Sequence, residues 1–448
     1  MSLTTAPALL GEDETLSLIE SVIQQSEAEG VFVSLDEEES ALTRFSENQI
    51  AQNVNTHRFQ LSITSYFGKR SATSTTTDLE PDAIARTLRR SEELARFAPE
   101  DPEWVPLLEP QTYDDRAPGF DRATATLSPL KRGETIERVC TLSKRAGVEG
   151  SGTLSTSVFQ QALGNSLGVR SRDRGTRSDF SFTARIENGS SWSRNTALAI
   201  ARLPYLETTQ TVIDRAKQSM NPREIKPGVY PVIFNSSAFA DLLPWIVWNL
   251  DARAADEGRS FMSRTNEQGK PIGNRVGEQL FSPLVRVQRD RAHPLLQTSR
   301  FFSNGLPNTP LDIIHNGIPQ TLSYSRYWAQ HQSKEPTGSF YPIVMAGTEQ
   351  SLSDLIAQTE RAILINRAWY VRYTNPRTLE VTGMTRDGTF WVENGQIAYP
   401  IKNLRFNQSL PEMLLNVDAL STVQRYGSTV IPGVRISAFN FSSVTDSV

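Results

Sequence analysis

Residues 59–77, FQLSITSYFGKRSATSTTT, set the fold class. Phe59, Leu61 and Ile63 alternate with polar residues, so they share one face of a strand. Gly68-Lys69 is a turn signal, and residues 71–77 are a second run of Ser and Thr that suits a strand. A helix should follow over residues 82–97. Ile84, Leu88 and Leu94 lie on or near one helical stripe there, with Pro81 near the start. Upstream, residues 13–29 place Leu16, Ile19, Val22 and Ile23 at helical spacing and end at Gly30. Residues 31–35 and 41–45 read as strands, with the acidic run Asp36 to Glu39 as a solvated turn between them. Helix, antiparallel strands and helix in that order predict an α+β fold.

Farther along, residues 101–127 are rich in Pro and Asp and read as a surface connection. Residues 129–146 suit a helix with Ile136, Val139 and Cys140 turned inward, and residues 152–200 are a long β region. A helix over most of residues 203–220 is stopped by Asn221-Pro222. The texture then changes. Residues 229–234 (VYPVIF) suit a buried strand and residues 238–255 a helix, after which strands and turns dominate to about residue 407. Asp387-Gly388 and Asn394-Gly395 are two hairpin signals, which predicts an antiparallel meander. The tail from Asn440 reads as frayed. The expected organisation is an N-terminal α/β domain, residues 1–225, with an antiparallel sheet and flanking helices. A mostly antiparallel β domain with few helices, residues 226–448, follows it.

Composition narrows the function. The 448 residues carry a formal charge of −4, so there is no broad basic field for direct nucleic-acid binding. The single cysteine, Cys140, rules out an intrachain disulfide. Residues 1–15 lack the basic and apolar regions of a secretory leader. The most apolar stretch, residues 242–250 (LLPWIVWNL), is too short to span a bilayer. A cytoplasmic protein without membrane attachment is expected.

Candidate chemistry is sparse. His57, His293, His315 and His331 lack ligand spacing and read as surface or satisfied residues. Cys140 sits on an apolar stripe and reads as core. Residues 164–168 (GNSLG) match the nucleophile-elbow pattern around Ser166. A strand-like run follows where a helix is required, so a turn is the better reading. Arg170, Arg172 and Arg174 alternate along one strand face and form a basic patch with Arg177. That patch is a solvated surface by default and an anion site otherwise.

A series of short pieces gives a sharper indication. Thr43-Arg44-Phe45-Ser46-Glu47-Asn48-Gln49-Ile50 precedes a strand and Gly68-Lys69-Arg70. Asn165-Ser166-x-Gly168 follows a strand-like run, and Val276-Gly277-Glu278-Gln279-Leu280-Phe281-Ser282-Pro283-Leu284 comes later. Ile314-His315-Asn316-Gly317-Ile318 leads to Ser325-Arg326-Tyr327. Near the end stand Thr382-Gly383-x-x-Arg386-Asp387-Gly388 and Val392-Glu393-Asn394-Gly395-x-Ile397-x-x-Pro400-Ile401. In this order, over roughly residues 30–407, the series resembles the TldD/PmbA (TldD/TldE) family of metallopeptidase-related proteins, also called modulators of DNA gyrase.

The resemblance implies two domains and a dimer of related subunits around a cavity. In the zinc-bearing TldD branch, a helix early in the second domain carries His-Glu-x-x-x-His, and a distant cysteine completes the site. The metal there lowers the pKa of water and polarises the peptide carbonyl. The family register puts Pro244 at the first histidine, Trp245 at the glutamate and Asn249 at the second histidine. Neither proline nor tryptophan binds zinc or accepts a proton from water. Pro244 also requires the helix to start just before it or kink there.

The resemblance therefore implies a non-catalytic, TldE/PmbA-like subunit. It would bind no cofactor itself, and zinc is expected only in a TldD-like partner. The partner is that paralogue in a heterodimer, or a second copy in a homodimer, and the substrates are small or unfolded peptides. Two alternatives stand beside it: a non-enzymatic protein-binding modulator, and a peptidase with an unorthodox site at Ser166 or at a His/carboxylate cluster.

Overall fold

A computed structural model describes residues 9–445, so the leader test on residues 1–15 falls partly outside it. The chain is a mixed α+β fold. The first sheet has six antiparallel strands in the order β3-β2-β1-β4-β5-β6. They are β1 (Gly30–Ser46), β2 (Gln49–Phe67), β3 (Arg70–Thr76), β4 (Glu149–Asn165), β5 (Arg170–Ile186) and β6 (Gly189–Ala197).

Period two decides which side chains meet. Leu35 lies opposite Leu61 on β2 and Ala162 on β4, and Val33 opposite Ile63 and Gly164. This apolar row packs against Ile19 and Val22 of α1 (Glu12–Gln25) and Leu88 of α2 (Pro81–Phe97). Past the short α3 (Arg122–Ala125), two more helices reach the same sheet. Ile136, Val139 and Cys140 of α4 (Pro129–Ala146), and Val212 and Ile213 of α5 (Tyr205–Gln218), pack on Phe45, Leu154, Phe180 and Phe182. Gly152 lies opposite both Phe45 and Phe182, whose rings stack at 6.1 Å. A Cβ at Gly152 would approach the Ser181 carbonyl oxygen to 2.1 Å, so only glycine fits.

Several expectations change here. Asp36 to Glu39 form no turn: β1 runs straight through them, and Glu37 is buried. The reason is period two, which turns Glu37 to the helix-covered face and leaves Asp36 and Glu38 exposed. Residues 101–127 are more than a surface connection. Tyr113 packs on Phe301 and its hydroxyl donates to the Gly305 carbonyl at 2.8 Å, and Gly119 N–H donates to the Gln297 carbonyl at 2.8 Å.

The second sheet is larger and mixed. Its centre is β7 (Gly228–Phe234), parallel to Arg361–Ile365 on one side and antiparallel to Thr429–Val444 on the other. Asn394-Gly395 makes the predicted hairpin, both residues having positive φ. Asp387-Gly388 does not. Glu380–Thr385 pairs with Ala368–Asn375 and Leu404–Ser409, whereas Thr389–Glu393 pairs with Arg361–Ile365 and Gln396–Pro400, so the two strands part at a corner. The tail is ordered through Val444 because Phe439 and Phe441 are core residues of the last strand; residues 446–448 lie outside the described range. No described helix is long and apolar enough to cross a membrane.

Candidate functional site

The segment after β7 was expected to be one helix over residues 238–255. It is three short ones: α6 (Ser236–Phe239), α7 (Leu243–Trp248) and α8 (Ala252–Asp256). Asn235 and Asp251 side chains cap α6 and α8 by accepting from Ala238 N–H and Ala254 N–H. Pro244 is the second residue of α7, where its missing N–H costs no helical bond. Leu243, Ile246 and Val247 face the core of the second sheet.

The three residues singled out on this helix have settled roles. Pro244 is buried. Trp245 stands edge-on to Tyr373 at 4.7 Å between ring centroids and tilts against Trp248 at 5.8 Å. Asn249 donates its amide N–H groups to the Trp245 carbonyl at 2.7 Å and to the Tyr373 hydroxyl at 2.8 Å. Trp248, 55% exposed, continues the cluster to Tyr341. Burial pushes the Tyr341 phenol up to about 12. A proline ring, an indole and an amide committed to a phenol do not fit a zinc ion. These residues form an aromatic surface instead. Tyr373 and Tyr341 were not foreseen, because each lies about a hundred residues from α7.

The other candidates separate. Cys140 is buried as expected, and burial raises its thiol pKa. Ser166 lies on the β4–β5 hairpin turn and accepts from Val31 N–H at 3.1 Å; no helix follows it. His331 stacks on Trp328, and His293 Nδ1 accepts from Leu295 N–H. Among the described residues no group of three or more His, Cys, Asp and Glu is placed to hold a metal ion.

Among the described residues His57 is the one histidine joined to a buried carboxylate. Its Nε2 is 2.7 Å from Glu37, which also accepts from Leu10 N–H at 3.1 Å and from the Gln160 amide. A groove of about 750 Å³ runs beside this cluster, lined by Asp36, Glu38, Arg58, Phe159, Gln161 and Arg177.

The arginine stripe is no solvated patch. Arg170 pairs with Glu20 of α1. Arg172 donates to Gln160 at 2.7 Å and to the Leu10 carbonyl at 3.2 Å. The Arg174 guanidinium lies 4.5 Å from the Phe120 ring centre. Alternation puts Arg177 on the opposite face, where it pairs with Asp179. Helix α1 and Leu10 before it take up Arg170 and Arg172, and the Phe120 ring takes up Arg174.

A second cluster joins the two sheets. The Arg367 guanidinium lies between Trp192 of β6 (4.0 Å) and Trp369 (4.2 Å) and bonds Asp387 at 2.7 Å. Arg194 of β6 bonds Asp241 at 2.9 Å. Burial raises the Asp241 pKa, against the pull of Arg194 and Arg367.

Comparison with known proteins agrees with this architecture. A family profile described as "PmbA/TldA metallopeptidase C-terminal domain" matches residues 227–443, and "PmbA/TldA metallopeptidase domain 1" matches residues 31–95. "Metalloprotease PmbA" of Escherichia coli O157:H7 is 25% identical over 95% of this chain and 96% of its own. Among solved structures, TldE from Thermococcus kodakarensis superposes with a TM-score of 0.85 at 17% identity, covering 95% of this chain and all of the other. A proposed modulator of DNA gyrase from Bacteroides thetaiotaomicron gives 0.84 at 17% identity, covering 97% of this chain and all of the other.

Proposed function

Because this chain belongs to the TldD/PmbA family of metallopeptidase-related proteins, we propose that it is the non-catalytic, TldE/PmbA-like member of a two-subunit peptidase. Its partner is a zinc-bearing TldD-like chain, the substrates are small or unfolded peptides, and the compartment is the cytoplasm. The observation that carries this reading is α7. The three positions that the family register assigns to His, Glu and His hold Pro244, Trp245 and Asn249, and the last two are engaged with Tyr373. In the complex this subunit contributes walls and peptide contacts, and the partner contributes the metal-activated water.

The test is reconstitution. The purified chain should contain far less than one zinc per molecule and leave an unstructured peptide intact. Mixed with a TldD-like paralogue from the same genome, it should form a complex whose cleavage is lost on chelation. Stoichiometric zinc in the chain alone, or chelator-sensitive cleavage by it alone, overturns the reading.

A further inference from the structure

Three arginines gather on the open face of the strands Ala368–Asn375, Glu380–Thr385 and Leu404–Ser409. Register fixes where each one stands. Met384 pairs with Trp369 on one side and Arg405 on the other, and Thr382 pairs with Arg372 and Asn407 in the same way. Burial alternates along the middle strand: Val381, Gly383 and Thr385 are buried, while Thr382 and Met384 are partly open. Opposed residues share a face, so Arg372 and Arg405 lie on the open one, and both are exposed. Arg386 comes two residues after Met384. Its guanidinium lies 5.1 Å from the Trp369 ring centre, which places it on the same face.

None of the three has a carboxylate of its own. Among the described residues Arg405 makes no side-chain hydrogen bond or ion pair. Arg372 bonds only the neighbouring Val371 carbonyl, at 2.8 Å. Arg386 Nε is buried without a hydrogen-bond partner. Its nearest carboxylate is Asp387 at 3.8 Å, which Arg367 already holds at 2.7 Å. Glu380 is the only acid in these strands, and it stands at their far end, opposite Asn375 and Ser409. Like charges gathered on one sheet face repel one another. An anion on the face removes that repulsion and gains charge-assisted, bidentate hydrogen bonds.

Spacing selects the anion. Counted along the middle strand, the arginines fall in the rows of residues 386, 384 and 382. Alternate residues of a strand advance about 6.8 Å. An extended chain laid along that strand carries its own alternate side chains at the same interval, so acids at positions i, i+2 and i+4 reach one arginine each. Trp369 is taken up by two guanidinium groups, Arg367 at 4.2 Å and Arg386 at 5.1 Å, rather than left open to stack a nucleic-acid base. We propose that this face binds acidic peptide segments, with Arg372, Arg386 and Arg405 taking carboxylates two residues apart. The choice of a peptide as occupant rests on the proposed function; the arginine geometry stands apart from it.

The test uses the full chain without paralogue or metal, so it can fail while reconstitution succeeds, and the reverse. Fluorescence anisotropy compares three labelled probes: a peptide of alternating Glu and Ser, the same peptide with Lys for Glu, and oligothymidylate. The Glu peptide should bind, and bind more weakly as salt rises; the Lys peptide should not bind. Arg372→Gln with Arg405→Gln, both at exposed positions, should lower the affinity at least roughly tenfold with an unchanged circular dichroism spectrum. Arg405→Gln alone, at a side chain with no partner to lose, should lower it as well. Arg89→Gln with Arg90→Gln removes the same charge from exposed positions of α2 and should leave binding as in wild type. No preference for Glu over Lys, tighter binding of oligothymidylate than of the Glu peptide, wild-type affinity in the variant at positions 372 and 405, or an equal loss in the α2 variant overturns the proposal.

Discussion

At the scale of single residues, the side chains that matter are those that period and motif do not flag. Sequence reasoning found Pro244, Trp245 and Asn249 because a family register pointed at them. It missed Tyr373, since a contact across 124 residues leaves no local mark. Tyr373→Phe removes the acceptor of the Asn249 amide. On a partly exposed surface, the loss should fall at the low end of about 0.5–1.5 kcal/mol, read by urea denaturation. Asp241 gives a pH test. Burial raises its folded pKa above the unfolded value near 3.8, so it contributes fully below that value and loses the contribution as pH rises through the folded one. Asp241→Asn should therefore improve relative to wild type as pH increases from 3.5 to 7, in paired denaturation curves. A constant difference across that range would show that burial does not control this carboxyl.

At the scale of elements, strands and helices with clear periodicity were legible: β3, α2, α4, α5 and the half of β2 from Phe59 onward lie close to where alternation and apolar stripes put them, whereas β2 itself starts at Gln49, in a polar run without alternation. Three elements were not, each for a physical reason. β1 crosses an acidic run because Glu37, although charged, finds His57, Gln160 and Leu10 N–H under the helices. The helix over residues 238–255 breaks into three because Asn235, Pro244 and Asp251 each start a helix anew. The Asp387-Gly388 turn opens a corner because Arg367 and Ser190 hold the Asp387 side chain. Packing of α4 onto the first sheet depends on Gly152. Gly152→Val puts a branched side chain between Phe45 and Phe182 and against the Ser181 carbonyl. Overpacking of this kind costs about 1–3 kcal/mol, with backbone displacement adding to it, so the thermal midpoint should fall clearly. Gly147→Ala tests only left-handed backbone, since nothing lies within 4 Å of the added carbon, and should cost about 1 kcal/mol.

At the scale of the whole molecule, the two sheets are tied through charged groups as well as apolar contact. Asp173 of β5 is buried and held by Arg300 at 2.6 Å and Ser299 at 2.8 Å. Leu163 meets Phe301 nearby. On the other side of the seam, Arg367 is clamped by Trp192 from the first sheet and Trp369 from the second while it neutralises buried Asp387. None of this is readable from spacing, because the partners come from separate sheets. Removing one member of a buried pair leaves an uncompensated charge and costs about 3–5 kcal/mol. Arg367→Ala should incur the lower part of that loss, because Arg386 Nε stays 3.8 Å from Asp387, and should also empty the slot between two indoles. Arg367→Lys keeps the charge but loses the planar stack and fork, so it should recover only part. Because the cluster spans both sheets, the loss should loosen their contact before either core melts. Hydrogen exchange in Arg367→Ala should then rise first in β6 and around residues 366–369 and 386–388, while β1 and β7 keep their protection. Uniform acceleration across both sheets would instead mean that the seam and the cores unfold as a single cooperative unit.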